Sequence, residues 1–215
     1  MDYKKYLKQV SDSVLSIDSC FSEIERAGKL IASGIREDRL VHVFGSDMKT
    51  SALITEIFFR PGSLINIDPM LDPTLDIAHG AYRNAMCLDV ENLAPCILDY
   101  YEYVEPGDCF IVMGSDPSLG MFRQSLEWAK KKGLKTIAIA FEGVDKSDVD
   151  VFIPVKDKCI ETYTAQVSVI LNLLMRQAAS CLDDADKGTW SGEWSVDLEG
   201  CREKIDKVLF RIRHI

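Results

Sequence analysis

The pattern of apolar and polar residues divides the chain into one long amphipathic helix, short buried strands and the helices between them. Over residues 1–35, apolar side chains recur with a 4-3-4-3 spacing that aligns them on one helical face: Val10, Val14, Ile17, Phe21, Ile24 and Ile31. Five short, nearly continuous apolar runs are typical of buried parallel strands: residues 40–44, 64–67, 109–113, 134–141 and 149–155. Helical patterns separate or follow these runs: residues 50–59, 75–81, 90–103, a segment ending at 132, 161–182 and 196–212.

This alternation of strands and helices predicts a single doubly wound α/β domain. Strands that alternate with helices form a parallel sheet with right-handed crossovers. The expected division is an N-terminal helix over residues 1–35, an α/β core over 40–155 and C-terminal helices over 160–213. Such sheets bind ligands beyond the carboxyl ends of their strands, so the candidate site lies in the loops after the first and third strands.

The apolar face of the first helix has two interpretations. Stripes at this spacing form the seam of helical dimers, and they also pack a helix on its own domain. Both interpretations stay open, and the first predicts a homodimer or a higher homo-oligomer.

Composition and charge exclude several classes of protein. The net charge of −9 disfavours binding to nucleic acid through phosphates. No apolar stretch approaches the 18 residues of a membrane span, and the first ten residues contain no signal-peptide core, so we expect a soluble protein with no membrane partner. The 7 cysteines form no C-x-x-C pair, which favours reduced thiols in the cytoplasm. Because the 3 histidines are scattered, we expect no metal and no cofactor.

The loops after the first and third strands share a tripeptide, Gly45-Ser46-Asp47 in one and Gly114-Ser115-Asp116 in the other. Glycine permits a tight turn, serine offers a hydroxyl beside free backbone amides, and aspartate can cap the following helix. Free amides at a helix start favour anions, but an aspartate already there occupies them and repels a phosphate. Two interpretations therefore remain open, a pair of helix caps or a pair of ligand-binding loops.

Several segments around these loops resemble a known family in their order and spacing. They are residues 105–113, the helix and strand at 129–140, the last strand at 147–154, and residues 56–64 with Asp72-Pro73 and His79-Gly80-Ala81 downstream. Over residues 40–155 the chain resembles the sugar isomerase (SIS) domain family, in its branch of phosphosugar and phosphoheptose isomerases. The resemblance implies a three-layer α/β/α sandwich with a five-stranded parallel sheet, often dimeric, and no cofactor. It also implies sugar phosphates held by hydroxyls of the two loops, and aldose–ketose isomerisation by a general base, usually a carboxylate.

The chain departs from the family pattern in the loops themselves. The family's second loop is typically Ser-x-Ser-Gly-x-Thr, whereas this chain has Gly-Ser-Asp-Pro-Ser-Leu at residues 114–119. Only Ser115 and Ser118 offer hydroxyls there, and Asp116 faces the expected phosphate. A glutamate usually precedes the Gly-Ala pair, and here His79 takes its place, an imidazole that can also act as a base.

The resemblance and the loops together give a set of candidate residues. Glu56 and His79 are the candidate bases, although Glu56 could equally be a solvent-facing helix residue and His79 a structural one. The candidate ligand-binding residues lie on the two loops and the helix start between them: Gly45, Ser46, Asp47, Lys49, Thr50, Ser51, Gly114, Ser115, Asp116 and Ser118. Two functions follow, a phosphosugar isomerase with an altered site, or a non-catalytic SIS module that binds a carbohydrate derivative or a protein partner and regulates or scaffolds.

Overall fold

The computed structural model describes residues 2–60, 62–156, 159–183, 186, 188–189, 206–208 and 210–212. The elements in chain order are α1 (Tyr3–Leu15), α2 (Phe21–Arg36), β1 (Val41–Gly45), α3 (Met48–Ser51), β2 (Ile67–Met70), α4 (Ala81–Cys87), α5 (Leu93–Leu98), β3 (Cys109–Gly114), α6 (Gly120–Lys132), β4 (Lys135–Ala140), β5 (Val151–Pro154) and α7 (Ile160–Ser180). Residues 206–208 and 210–212 are helical. They belong to the helix predicted over 196–212, whose other residues lie outside the described ones.

The five strands form one sheet in the order β2-β1-β3-β4-β5, and every pair is parallel. Alternate residues of a strand face opposite sides of a sheet. On one side, Val41 and Val43 pack in a cluster with residues of α2 and α7. On the other side, Phe44 packs in a cluster with residues of α5 and α6. The predicted α/β/α sandwich around a five-stranded parallel sheet is therefore confirmed.

Two predicted elements lie differently along the chain. The N-terminal helix is divided, because the 3-10 turn Ser16–Cys20 separates α1 from α2. The second strand begins at Ile67 rather than at residue 64, so that prediction was wrong. The preceding segment pairs elsewhere, since Leu64 forms an antiparallel bridge with Thr189. Pro69 is tolerated in β2 because β2 is an edge strand, where a missing N–H leaves no ladder bond unmade.

Two predicted helices are broken into shorter pieces. The helix expected over 50–59 is wrong, because α3 ends at Ser51 and the backbone of Phe59 is left-handed, with φ of 49°. The helix expected over 75–81 becomes two 3-10 turns followed by α4. The side chains of Asp72 and Asp76 each accept a hydrogen bond from the N–H two residues on, so each starts a new turn.

A buried ionic network joins three strands at the amino-terminal edge of the sheet. Nδ1 of His42 lies 2.7 Å from Asp68 and its Nε2 lies 3.0 Å from Asp108, and all three side chains are buried. Ionised carboxylates can only accept, so both ring nitrogens donate and the ring is an imidazolium. Burial opposes that charge, but the hydrogen bonds and the negative charges of Asp108 and Asp68 raise the pKa of His42.

The same network reaches the C-terminal segment and the chain before β3. Two nitrogens of the Arg211 guanidinium donate to the Asp108 carboxylate at 2.7 and 3.2 Å. The Tyr103 hydroxyl donates to Asp68. Burial favours the neutral acid at Asp108, but hydrogen bonds from His42 and Arg211 hold the pKa of its carboxyl well below the ordinary range. Arg211 is thereby tied to the edge of the sheet.

The turn from β1 into α3 is tight enough to require glycine. A Cβ at Gly45 would overlap the backbone of Thr50 and Ser51. The absence of a side chain lets α3 lie directly against the end of β1, which brings Asp47 toward the neighbouring strand.

We predict that the free energy of unfolding falls as the pH rises above neutrality. The pKa of His42 is higher in the folded protein than the ordinary value of about 6.5, so its stabilisation is complete below that pH and is lost as the pH rises through the folded pKa. Urea denaturation over a pH series measures this slope. His42→Gln should remove the slope and destabilise by about 3–5 kcal/mol, because it removes the cation that pairs with the buried Asp68 carboxylate. His79→Gln, at an exposed position, is the control; equal slopes in both variants would contradict the assignment.

We also predict that Gly45→Ala destabilises the protein by about 1–3 kcal/mol or more, because the added methyl group overlaps rigid backbone. Gly34→Ala is the matched control. It lies in α2, where a Cβ would make only ordinary contacts, and alanine favours a helix by up to about 1 kcal/mol. Thermal unfolding of both variants should therefore show shifts of opposite sign. A Gly45→Ala protein as stable as the wild type would show that the turn is not tight.

Candidate functional site

The loops after β1 and β3 meet at the point where the strand order reverses. From β1 the chain continues into β2 on one side of it, while β3 lies on its other side. In open α/β sheets, the crevice at such a point is where ligands bind. Both loops carrying the shared Gly-Ser-Asp tripeptide therefore stand where the sequence predicted the site.

Asp47 joins the two loops through a single carboxylate. Its Oδ1 accepts from the backbone N–H groups of Lys49 and Thr50, both at 3.0 Å, and from the Thr50 hydroxyl at 3.1 Å. Its Oδ2 accepts from the N–H and the hydroxyl of Ser115 in the other loop, both at 2.7 Å. The side chain is only 4% exposed. Three amides and two hydroxyls are thus already engaged with an anion that belongs to the protein.

Further contacts make the two loops one rigid unit. The N–H and the hydroxyl of Ser46 both donate to the Met113 carbonyl, at 2.8 and 2.9 Å. Gly114 lies so close to Ser46 and Phe122 that a Cβ there would overlap both side chains. Ser46, Asp47, Thr50, Gly114 and Ser115 are therefore brought together, and their polar groups bond mainly to one another.

The two aspartates of the repeated tripeptide have different roles. Asp47 caps α3 in a capping box with Thr50, so the helix-cap interpretation is correct there. Asp116 caps no helix, because α6 starts at Gly120. Its Oδ1 instead accepts from the N–H and hydroxyl of Ser118, at 2.9 and 2.6 Å, in a local turn. The capping interpretation is therefore wrong for Asp116.

A cavity of about 360 Å³ opens beside the first loop, between α3 and the segment that follows β2. We call it the β1–β2 cavity. Its walls come from Met48, Ser51, Ala52, Thr55, Leu71, Asp72, Pro73, Asp76, Ile77 and His79. Two candidates from the sequence, Ser51 and His79, thus share one cavity. No described residue forms a hydrogen bond with the imidazole of His79, which is exposed.

The β1–β2 cavity is acidic. Oδ1 of Asp72 accepts from Thr74 at 2.7 Å, and Oδ1 of Asp76 accepts from Ala78 at 2.8 Å. The Oδ2 of each has no partner among the described residues and remains an acceptor. None of the described residues that line this cavity is a lysine or an arginine.

Glu56 and Lys49 stand outside this cavity wall. The Glu56 carboxylate pairs with Arg60 at 3.1 Å and lies 3.5 Å from the Ser168 hydroxyl. The Lys49 backbone N–H donates to the Asp47 carboxylate, and the Lys49 side chain does not line the β1–β2 cavity. The structure therefore does not bring the two candidate bases, Glu56 and His79, into one cavity.

A second, larger cavity of about 720 Å³ lies between α6 and the loop that follows β4. We call it the β3–β4 cavity. Its lining includes Pro117, Ser118, Arg123, Lys130 and Asp148. Of the sequence candidates only Ser118 reaches it, and Lys130 is neutralised by Asp148 at 2.7 Å. This cavity is separate from the network around Asp47.

Tyr163 on α7 is a polar group that the sequence did not single out. Its ring is buried against Phe141, and its hydroxyl has no partner among the described residues. Burial, and then the negative charge of Asp47, raise the pKa of Tyr163.

Sequence reasoning missed the acidic residues of the cavity and the ionic network at the opposite edge. Asp72 and Asp76 could have been found, since each precedes a short turn after β2 and can cap it. His42 interrupts an apolar strand, Asp68 lies in β2 and Asp108 precedes β3, but only the strand register shows that they meet. Among the described residues, no group of three side chains could hold a metal ion, and no helix is long and apolar enough to cross a membrane.

Comparison with known proteins gives a consistent result. The model of the SIS domain family matches residues 5–140. A UPF0309 protein of Thermoanaerobacter pseudethanolicus is 30% identical over 138 residues, which are 63% of this chain and 55% of that protein. A UPF0309 protein of Brucella ovis is 28% identical over 122 residues, 57% of this chain and 50% of that protein. The chain thus spans about half the length of the curated relatives it matches.

A solved structure of a phosphoheptose isomerase from Francisella tularensis has the same fold. The two superpose with a TM-score of 0.59 at 15% sequence identity, over 83% of this chain and 96% of that one. The family model covers more than half of the sequence, and the sheet and its layers match. The chain belongs to the SIS domain family.

Proposed function

We propose that this chain binds a monosaccharide derivative in the β1–β2 cavity. The observation that carries the proposal is the position of that cavity, at the carboxyl edge of the sheet beside the loop containing Asp47, with Ser51 and His79 in its wall. Its volume of about 360 Å³ lies in the range of small-molecule sites. Hydroxyls, carboxylates and an imidazole are groups that suit the many hydroxyls of a sugar.

The family supports a carbohydrate ligand. The fold neighbour is named a phosphoheptose isomerase, and SIS domains are sugar isomerase domains. In this proposal the candidate residues from the sequence have two different roles. Ser51 and His79 contact the ligand in this proposal, while Ser46, Asp47, Thr50 and Ser115 shape the loops behind it.

A second candidate is isomerisation of the bound sugar with His79 as the general base. An imidazole in the cavity wall that bonds to none of the described residues favours it, since a base must reach the proton that it removes. Glu56 is less suited to that role, because Arg60 pairs with its carboxylate and the cavity wall does not include it. Conversion of an aldose to a ketose, measured at saturating sugar so that weaker binding does not limit it, and lost in His79→Gln, would establish this reaction.

The alternative of a non-catalytic module that associates with protein also has an observation in its favour. Large apolar side chains of α1 are exposed: Tyr3, Tyr6, Leu7 and Leu15. A second copy of the chain is the partner we propose for this face. It is a different face from the apolar stripe of the first helix, because Ile17, Ile24 and Ile31 of that stripe pack within the core of the chain itself. The 6 cysteines that the structure describes are free thiols, which supports the proposal of a reducing cytoplasm.

We predict that a monosaccharide derivative raises the melting temperature of the purified protein in a thermal-shift panel. A ligand at 100 times its Kd stabilises by about 2.7 kcal/mol, which corresponds to several degrees. His79→Gln and Ser51→Ala should reduce the shift. Ser118→Ala is the matched control, since Ser118 lines the β3–β4 cavity instead. A shift lost in Ser118→Ala but kept in the other two would place the ligand in the wrong cavity for this proposal.

A further inference from the structure

The Asp47 carboxylate occupies the position where the two loops could otherwise hold an anionic group. The donors that converge on it are the N–H groups of Lys49, Thr50 and Ser115 and the hydroxyls of Thr50 and Ser115. They come from both loops and converge on one buried side chain. A phosphate would have to displace this carboxylate to use the same donors, or else lie beside its charge. Both are unfavourable, because a buried charge is poorly screened and like charges repel.

The β1–β2 cavity gives an independent indication of the same ligand preference. Asp72 and Asp76 each leave one carboxylate oxygen open as an acceptor, and no lysine or arginine is found among the described residues of the wall. Open acceptors favour a ligand that donates hydrogen bonds. Two carboxylates in a wall without basic side chains favour an ammonium group and disfavour a phosphate.

We infer that the ligand is an unphosphorylated monosaccharide carrying an amino group, and that Asp47 is the residue that excludes the phosphorylated form. The inference rests on the proposed function and adds the class of ligand to it. The hydroxyls of the sugar bond to Ser51, Thr55 and His79, and its ammonium group bonds to Asp72 and Asp76. Asp47 acts through the loops as a specificity-determining residue, since its own oxygens are already engaged.

Calorimetric titration of the full chain with matched sugars tests the inference. The probes are glucose, galactose and mannose, their 2-amino forms, and the 6-phosphates of all six. For at least one hexose, the amino form should bind about tenfold more tightly than the parent, and its 6-phosphate about tenfold more weakly than the amino form. Asp72→Asn with Asp76→Asn should remove the preference for the amine and leave the parent sugar bound.

Asp47→Ser should reduce the discrimination against the phosphate esters, because it removes the carboxylate charge and frees the donors of Ser115, while a serine hydroxyl can still cap α3. Asp145→Ser is the matched control. Asp145 is an exposed aspartate that caps a turn at the β3–β4 cavity, so its replacement should change no affinity in the panel. Discrimination unchanged in Asp47→Ser, or reduced equally in Asp145→Ser, would overturn the role of Asp47.

A measurement on the wild-type protein keeps the inference testable if Asp47→Ser does not fold. Inorganic phosphate, titrated to millimolar concentration, should leave the amide NMR signals of Thr50 and Ser115 unmoved, and saturable shifts there would overturn the exclusion. Phosphate esters that bind more tightly than the amino sugars would overturn the ligand class but leave the proposed function standing. An absence of binding by every sugar in the panel would overturn both.

Discussion

Strand β1 is held at its amino-terminal end by an imidazolium between two buried carboxylates. His42 bonds to Asp68 on β2 and to Asp108 before β3, so one side chain fixes β1 to both neighbouring strands. Charged groups taken out of water are costly unless each is paired and hydrogen-bonded. Here each charged side chain of the network has a partner, and Arg211 adds a second cation. The two positive charges, of His42 and Arg211, therefore balance the two negative charges of Asp68 and Asp108. The register of the sheet, and therefore the meeting of the loops at its other edge, depends on this pairing.

The carboxyl-terminal end of β1 is held by a second buried carboxylate, that of Asp47. Gly45 permits α3 to lie against the strand end, and this places Asp47 within reach of Ser115 on the neighbouring loop. The same physical rule operates at both ends, since a buried acidic group is stabilised by the donors that surround it. The consequence differs. At the amino end the network is structural, whereas at the carboxyl end it uses donors that a ligand would otherwise share.

The two cavities follow from the connections between strands. Between β1 and β2 the described residues form the short α3 and one 3-10 turn, Ile54–Glu56, which leaves room for the β1–β2 cavity. Between β4 and β5 a ten-residue loop, residues 141–150, replaces the helix that usually joins parallel strands. The β3–β4 cavity lies beside α6 where such a helix would pack. The first cavity is lined by Met48 and Ser51 of α3, the helix that Asp47 caps, whereas the second reaches only Pro117 and Ser118 at the far end of the loop after β3. For this reason we assign the sugar to the first.

Local patterning by itself determined the architecture of this protein. Continuous apolar runs separated by helical periods specify a parallel sheet, because strands buried on both faces and joined by crossovers have no other arrangement. The same pattern predicted where the candidate site lies.

Tertiary structure alone decided what each polar residue does. The identical tripeptides at Gly45 and Gly114 give Asp47 a buried role between two loops and Asp116 a local turn, because Asp47 accepts from Ser115 of the other loop whereas Asp116 accepts from Ser118 of its own. His42 and His79 are likewise the same residue type, yet one is sealed between carboxylates and the other borders a cavity. Hydrogen bonds between residues distant in sequence create these differences, and such contacts exist only after the chain has folded.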